Sequence, residues 1–106
     1  MIFHVVALDD WLAGPERPFA PPALARDGCI RCCSDEARAL EIAGRDFTDV
    51  TGPLMTLLID EHRLDARVRW EPEPHVYGRI NRTAVTGMLE IERDAEGRPR
   101  SHAVWS

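Results

Sequence analysis

Leu54 to Ile59 impose the strongest constraint on this fold. The run LMTLLI is almost wholly apolar, is the length of a strand, and is closed off by Gly52-Pro53 before it and Asp60 after it. A strand with one wet face alternates apolar and polar side chains, whereas an unbroken run belongs to a central strand covered on both faces. The chain must therefore supply a layer on each side of it. One layer is a helix expected to run from Ser34 as N-cap to about Phe47. Asp35 and Glu36 fall in its first turn, and Ala37, Leu40, Ala43 and Phe47 recur at three- and four-residue spacings.

The neighbouring strands are expected at Met1–Ala7, Cys29–Cys33, Val68–Glu71, His75–Ile80 and Thr83–Glu92, with SHAVW returning as a hairpin after DAEGRP. Two short helical turns come early. DDWLA is capped by Asp9 or Asp10 and stopped by Gly14-Pro15, and PPALARDG opens on proline and ends near Gly28. Between them PERPFAPP carries four of the eight prolines and crosses the surface as a loop. Asp60 to Asp65 reads as a polar turn. The helices come early and the strands late, which predicts an α+β fold. Its core is a small mixed β-sheet of six or seven strands with one main helix and short helical turns, in one domain over residues 1–106.

The stretch GCIRCCS, Gly28 to Ser34, asks for chemistry and does not specify it. On a strand Cys29, Arg31 and Cys33 share one face and Ile30, Cys32 and Ser34 the other, so the three thiols do not converge. A zinc site needs four ligands gathered by a turn, and no second cysteine pair exists. No metal is expected. The thiols read as small buried hydrophobes. Arg31 has two readings. It sits at an exposed strand end or pairs with an acid, or it faces a cleft and holds an anion.

Charge narrows the partners. The net charge is −5, with no basic stripe, which argues against duplex nucleic acid and membrane surfaces. Every one of the thirteen basic side chains is arginine. Schiff-base chemistry and a P-loop lysine are thereby excluded, and forked contacts to phosphate or carboxylate remain open. The N-terminus MIFHVVALDD has no basic lead-in or cleavage site, and the cysteine count is odd; the expectation is a reducing cytoplasm.

Four short strands each carry polar groups among apolar ones: His4, Arg31, the pair Arg69 and Glu71, and the pair His75 and Tyr77. Taken singly, each fits a core or half-exposed strand residue; together they could line one cleft. No nucleophile triad is legible. GxSxG is absent, and Ser34, Ser101 and Ser106 lie in unpromising contexts. His62 and His102 sit in polar segments and are expected to be solvated.

IFHVV, GCIRCCS, VRWEPE and PHVYGRIN, in that order and spacing, resemble the small bacterial family called domain of unknown function 952, from Ile2 to about Ile91. That family is grouped with the ADP-ribosyltransferase-like fold, so the resemblance implies a split, curved sheet with a nucleotide cleft. It implies NAD as cofactor and a small anionic nucleotide as partner. His4 becomes the first-strand residue that holds a ribose, Arg31 and Ser34 the second-strand candidates, and Arg69, Glu71, His75 and Tyr77 the contributions of the later motifs. In the catalytic version Glu71 stabilises positive charge on the ribose as the bond to nicotinamide breaks. The family usually has a histidine where Arg31 stands, and arginine cannot exchange a proton near neutrality. The resemblance is thus compatible with an ADP-ribosyl-transferring enzyme or a binding module without turnover. A third alternative is an interaction or structural domain without a small ligand, with Trp11, Trp70 and Trp105 as anchors.

Overall fold

A computed structural model describes residues 1–105 of the chain; Ser106 lies outside the described residues. The strands are β1 (Ile2–Ala7), β2 (Ile30–Arg31), β3 (Leu54–Ile59), β4 (Arg67–Trp70), β5 (Pro74–Tyr77), β6 (Val85–Arg93) and β7 (Pro99–Val104). The helices are α1 (Leu8–Leu12), α2 (Pro22–Asp27) and α3 (Glu36–Asp46), with 3-10 turns at Glu61–Arg63 and Arg82–Ala84. The second turn takes the start of the expected last long strand, which begins at Val85 instead of Thr83.

The strands form two sheets, ordered β1-β3-β6-β7 and β2-β5-β4. Every pairing between these strands is antiparallel, so the expected mixed sheet is corrected. β4–β5 and β6–β7 are hairpins, which can only pair antiparallel. A single antiparallel bridge sews the sheets together. The Phe3 amide donates to the Cys33 carbonyl at 2.9 Å, and the Cys33 amide donates back at 2.8 Å. The bond from the Cys32 amide to the Pro74 carbonyl, 2.9 Å, ties the same segment to the small sheet.

LMTLLI is an interior strand of the larger sheet, as its pattern requires. One face carries Met55, Leu57 and Ile59 into a core shared with Ile2, Val6, Ile30, Val76 and Ile80. On the other side Leu54 packs with Val5, Cys33, Ile91 and the small residues Ala39 and Ala43 of α3. Alanines at those two positions let the helix lie close on the sheet.

Three local expectations fail. α1 begins at Leu8 with Ala7 at its N-cap and no side-chain cap, so neither Asp9 nor Asp10 caps it and both fall in its first turn. Asp35, not Ser34, caps α3; its carboxylate accepts the Arg38 amide at 2.7 Å, the first-to-fourth geometry of an N-cap. His102 is not solvated: its side chain is 4% exposed. It stands opposite Ile91 in the β6–β7 register, which turns it inward. Its Nε2 lies 2.8 Å from the buried Thr56 hydroxyl and its Nδ1 3.6 Å from Glu36 Oε1. Burial holds its pKa below the ordinary value, and the Glu36 charge opposes that shift.

Candidate functional site

A cleft of about 760 Å³ opens where the start of the chain meets the long proline loop. β1 contributes His4 and the segment that follows it. The loop after α1 contributes Arg17 and Phe19, α2 contributes Arg26, and the segment after β5 contributes Arg79 and Arg82. Antiparallel bonds between Phe19 and Ile80, 2.8 and 2.9 Å, lock the loop to that last segment. Phe19 also packs edge-on against Trp11, centroids 5.5 Å apart. Gly78, at the start of that segment, lies close against Ala66. Its φ is +154°, and a Cβ there would stand 2.9 Å from the Ala66 Cβ.

His4 sits at the seam between the sheets, on the face of β1 that carries Ile2 and Val6 into the core. Its Nδ1 lies 3.1 Å from the Arg31 carbonyl. A carbonyl only accepts, so Nδ1 carries the proton and Nε2 is left as an acceptor. Loss of hydration pushes the imidazole down to about 4 from 6.5, while the Arg31 carbonyl pulls the other way. At neutral pH His4 is an uncharged acceptor.

Four arginines and one acid, Asp10, are the charged groups among the residues lining the cleft. They are engaged to different degrees. Arg26 makes a two-point pair with Asp27, 3.2 Å at each contact. Arg17 approaches Glu16 only to 3.9 Å on the open surface. Arg82 donates to four backbone carbonyls, and its guanidinium lies 4.3 Å from the Trp11 ring centroid. The Arg79 guanidinium has no hydrogen-bond or ion-pair partner among the described residues.

The later motif residues gather elsewhere, on the outer face of the small sheet. Arg31 stands opposite His75, and His75 opposite Arg69, so the three form a row across β2, β5 and β4. Glu71 is the hub. It pairs with Arg69 Nε at 3.0 Å, accepts from the Tyr77 hydroxyl at 3.2 Å, and lies 3.7 Å from His75 Nδ1. Loss of hydration first, then the Glu71 charge, pushes the Tyr77 hydroxyl up. The group is largely exposed, so its ion pairs add little stability.

The structure therefore brings Arg69, Glu71, His75 and Tyr77 together, with Arg31 beside them, and puts His4 in the cleft. None of the five small-sheet residues lines that cleft. Ser34 is exposed just before α3. The cysteines are free and buried. Loss of hydration raises the Cys32 thiol and pushes that of Cys33 up to about 11, so neither is a thiolate at neutral pH. Sequence reasoning missed the cleft arginines. The available signal was RINR directly after Gly78, in a chain whose cations are all arginine.

The chain belongs to the family described as "Protein of unknown function (DUF952)", which matches residues 5–88. Its fold is similar to that of protein CC0527 from Caulobacter crescentus. The crystal structure of that protein is 22% identical, covers 93% of this chain and 92% of its own, and superposes with a TM-score of 0.67. The solution NMR structure is 23% identical, covers 93% and 90%, and gives a TM-score of 0.74. At such identity the likeness concerns the fold alone. No curated protein matches the sequence.

Proposed function

We propose that this chain binds a small anionic nucleotide of the NAD or ADP-ribose kind in the cleft beside His4, in a reducing cytoplasm. The observation that carries this reading is a concentration of charge. A chain of net charge −5 directs four arginines and a single acid at one cleft. A guanidinium matches a phosphate by forked hydrogen bonds. Phe19 and Phe47 give the same cleft apolar surface for a base. His4 Nε2, held as an acceptor, suits a ribose hydroxyl. The resemblance to ADP-ribosyltransferase-like proteins favours the same ligand by analogy.

Turnover is the further step of this reading. Nicotinamide would leave with the electron pair of its bond to ribose, and Glu71 would stabilise the cation left behind. Glu71 already holds Arg69 and Tyr77, so a ligand bound beside His4 must extend across the β2 seam to use it. Binding is therefore separable from catalysis in this chain. A second reading, an interaction domain, draws on the edge strand β7, where Val104 is 82% exposed beside a partly exposed Trp105. Light scattering on the eluting protein tests self-association through that edge.

An NMR titration of labelled protein with NAD and with ADP-ribose tests the ligand. Saturable shifts at His4, Phe19 and Arg79 are expected, and no shifts at millimolar ligand would refute nucleotide binding. Nicotinamide release tests turnover in the same sample. Glu71→Gln should abolish release and leave NAD affinity nearly intact; equal losses in both would remove the catalytic role of Glu71.

A further inference from the structure

The four cleft arginines are not equivalent, and their partners divide the work between two of them. We infer that Arg79 is the residue that takes the ligand's phosphate groups, and that Arg82 is a positioning residue that builds the wall of the cleft. The inference rests on the proposed binding of an anionic nucleotide and assigns its contacts.

Arg82 has almost no donor left to offer. Its Nε donates to the Arg17 carbonyl and its Nη1 to the Trp11 carbonyl, both at 2.7 Å. Its Nη2 is shared between the carbonyls of Ala13 and Gly14, at 3.2 and 3.3 Å. A guanidinium has five N–H donors. With one face also stacked on Trp11, this group is engaged from several sides. The carbonyls belong to the end of α1, at Trp11, and to the irregular residues 13–17 that follow it. Arg82 is what gives that segment a shape.

Arg79 is the complement. Its backbone is fixed on both sides: Gly78 before it adopts a conformation closed to other residues, and Ile80 after it is bonded twice to Phe19. The side chain leaves this rigid support with no acceptor among the described residues. A fixed base and an unsatisfied, exposed guanidinium form a preorganised anion contact, because little backbone entropy is lost on binding. Arg26 is already paired with Asp27, and Arg17 extends into solvent, so both contribute longer-range attraction. A cleft with several guanidiniums and one carboxylate suits a dianionic or pyrophosphate group better than a single carboxylate.

Isothermal titration with inorganic pyrophosphate and with ADP-ribose tests this on the whole chain. Arg79→Ala should weaken both by about 10- to 100-fold, the loss expected for a charge-assisted hydrogen bond, and leave the melting temperature unchanged. Arg79→Lys should recover part of the affinity and of its dependence on salt, because the charge returns without the fork. Arg82→Lys should shift the amides of residues 13–17 without ligand, lower the melting temperature and weaken binding, and saturating pyrophosphate should draw those amides back. If Arg79→Ala binds like wild type, the assignment is overturned. If Arg82→Lys loses affinity while the free protein keeps wild-type amide positions, Arg82 is itself a ligand contact and the division is wrong. Binding of pyrophosphate without ADP-ribose or NAD, with the Arg79 effect present, upholds the assignment and removes the nucleotide reading. Binding of neither overturns both.

Discussion

Lowering the pH from 7 to 5 should destabilise this fold through His4. The imidazole is uncharged in the folded chain, with a pKa pushed down to about 4, against 6.5 when hydration is unrestricted. A folded pKa below the unfolded one means that the unfolded chain binds the proton first. The stability linked to His4 is complete above about pH 7 and is lost as the pH falls through 6.5 towards 4. At pH 5 the unfolded chain has taken up most of its proton and the folded chain little. At about 1.4 kcal/mol per unit, the loss between pH 7 and 5 is at most about 2 kcal/mol. His4 is partly exposed, and solvent reduces the figure from there. His102 is shifted in the same direction by burial, so the two must be separated. His4→Asn does this, because its amide can still donate to the Arg31 carbonyl and does not titrate. Urea melts followed by tryptophan fluorescence should show the wild type losing stability relative to His4→Asn as the pH falls from 7 to 5. An NMR titration should place the His4 midpoint well below 6. A midpoint near 6.5, or parallel losses in the two proteins, would refute the argument that burial keeps this ring neutral.

Two further substitutions test the frame around the cleft. Gly78→Ala puts a Cβ 2.9 Å from that of Ala66 at φ +154°, and should cost about 1–3 kcal/mol, read as a fall of several degrees in the calorimetric melting temperature. An unchanged melt would mean that the β5–β6 connection adjusts freely, against the rigid support argued for Arg79. Thr56→Val keeps the shape of a fully buried side chain but leaves His102 Nε2 without its 2.8 Å partner; a loss of about 1–3 kcal/mol in denaturant melts is expected, and a neutral result would show that water replaces the bond.

The parts of this fold that could be read from sequence are those set by local pattern. LMTLLI announced a strand covered on both sides, and the three- and four-residue spacings announced α3. Pairing direction and register are different in kind. A slip of one residue exchanges the faces of a strand, so the inward turn of His102 follows from the β6–β7 pairing and not from its polar neighbours. The cleft divides the same way. His4 was legible because an imidazole inside an apolar strand needs a reason. Arg82 was not, because its acceptors lie 65 to 71 positions away in sequence and loop residues have no period. The small-sheet cluster was legible through alternation in VRWEP and PHVYG, but its separation from His4 was not. Alternation tells which residues share a face and is silent about which face meets the cleft.

That separation gives residue 31 two independent roles. Its carbonyl faces β1 and fixes the tautomer of His4. Its side chain belongs to the row with His75 and Arg69 on the small sheet. A backbone carbonyl is present whatever the side chain, so an arginine at the position where the resemblance implies a histidine leaves the carbonyl partner of His4 untouched. What changes is confined to the other face, where a group able to exchange a proton near neutrality is replaced by a permanent charge. Any chemistry that needs a proton carrier at that position is therefore altered in this chain, while binding beside His4 is not. The sequence departure bears on the two halves of the proposed function unequally, and binding is the half to establish first.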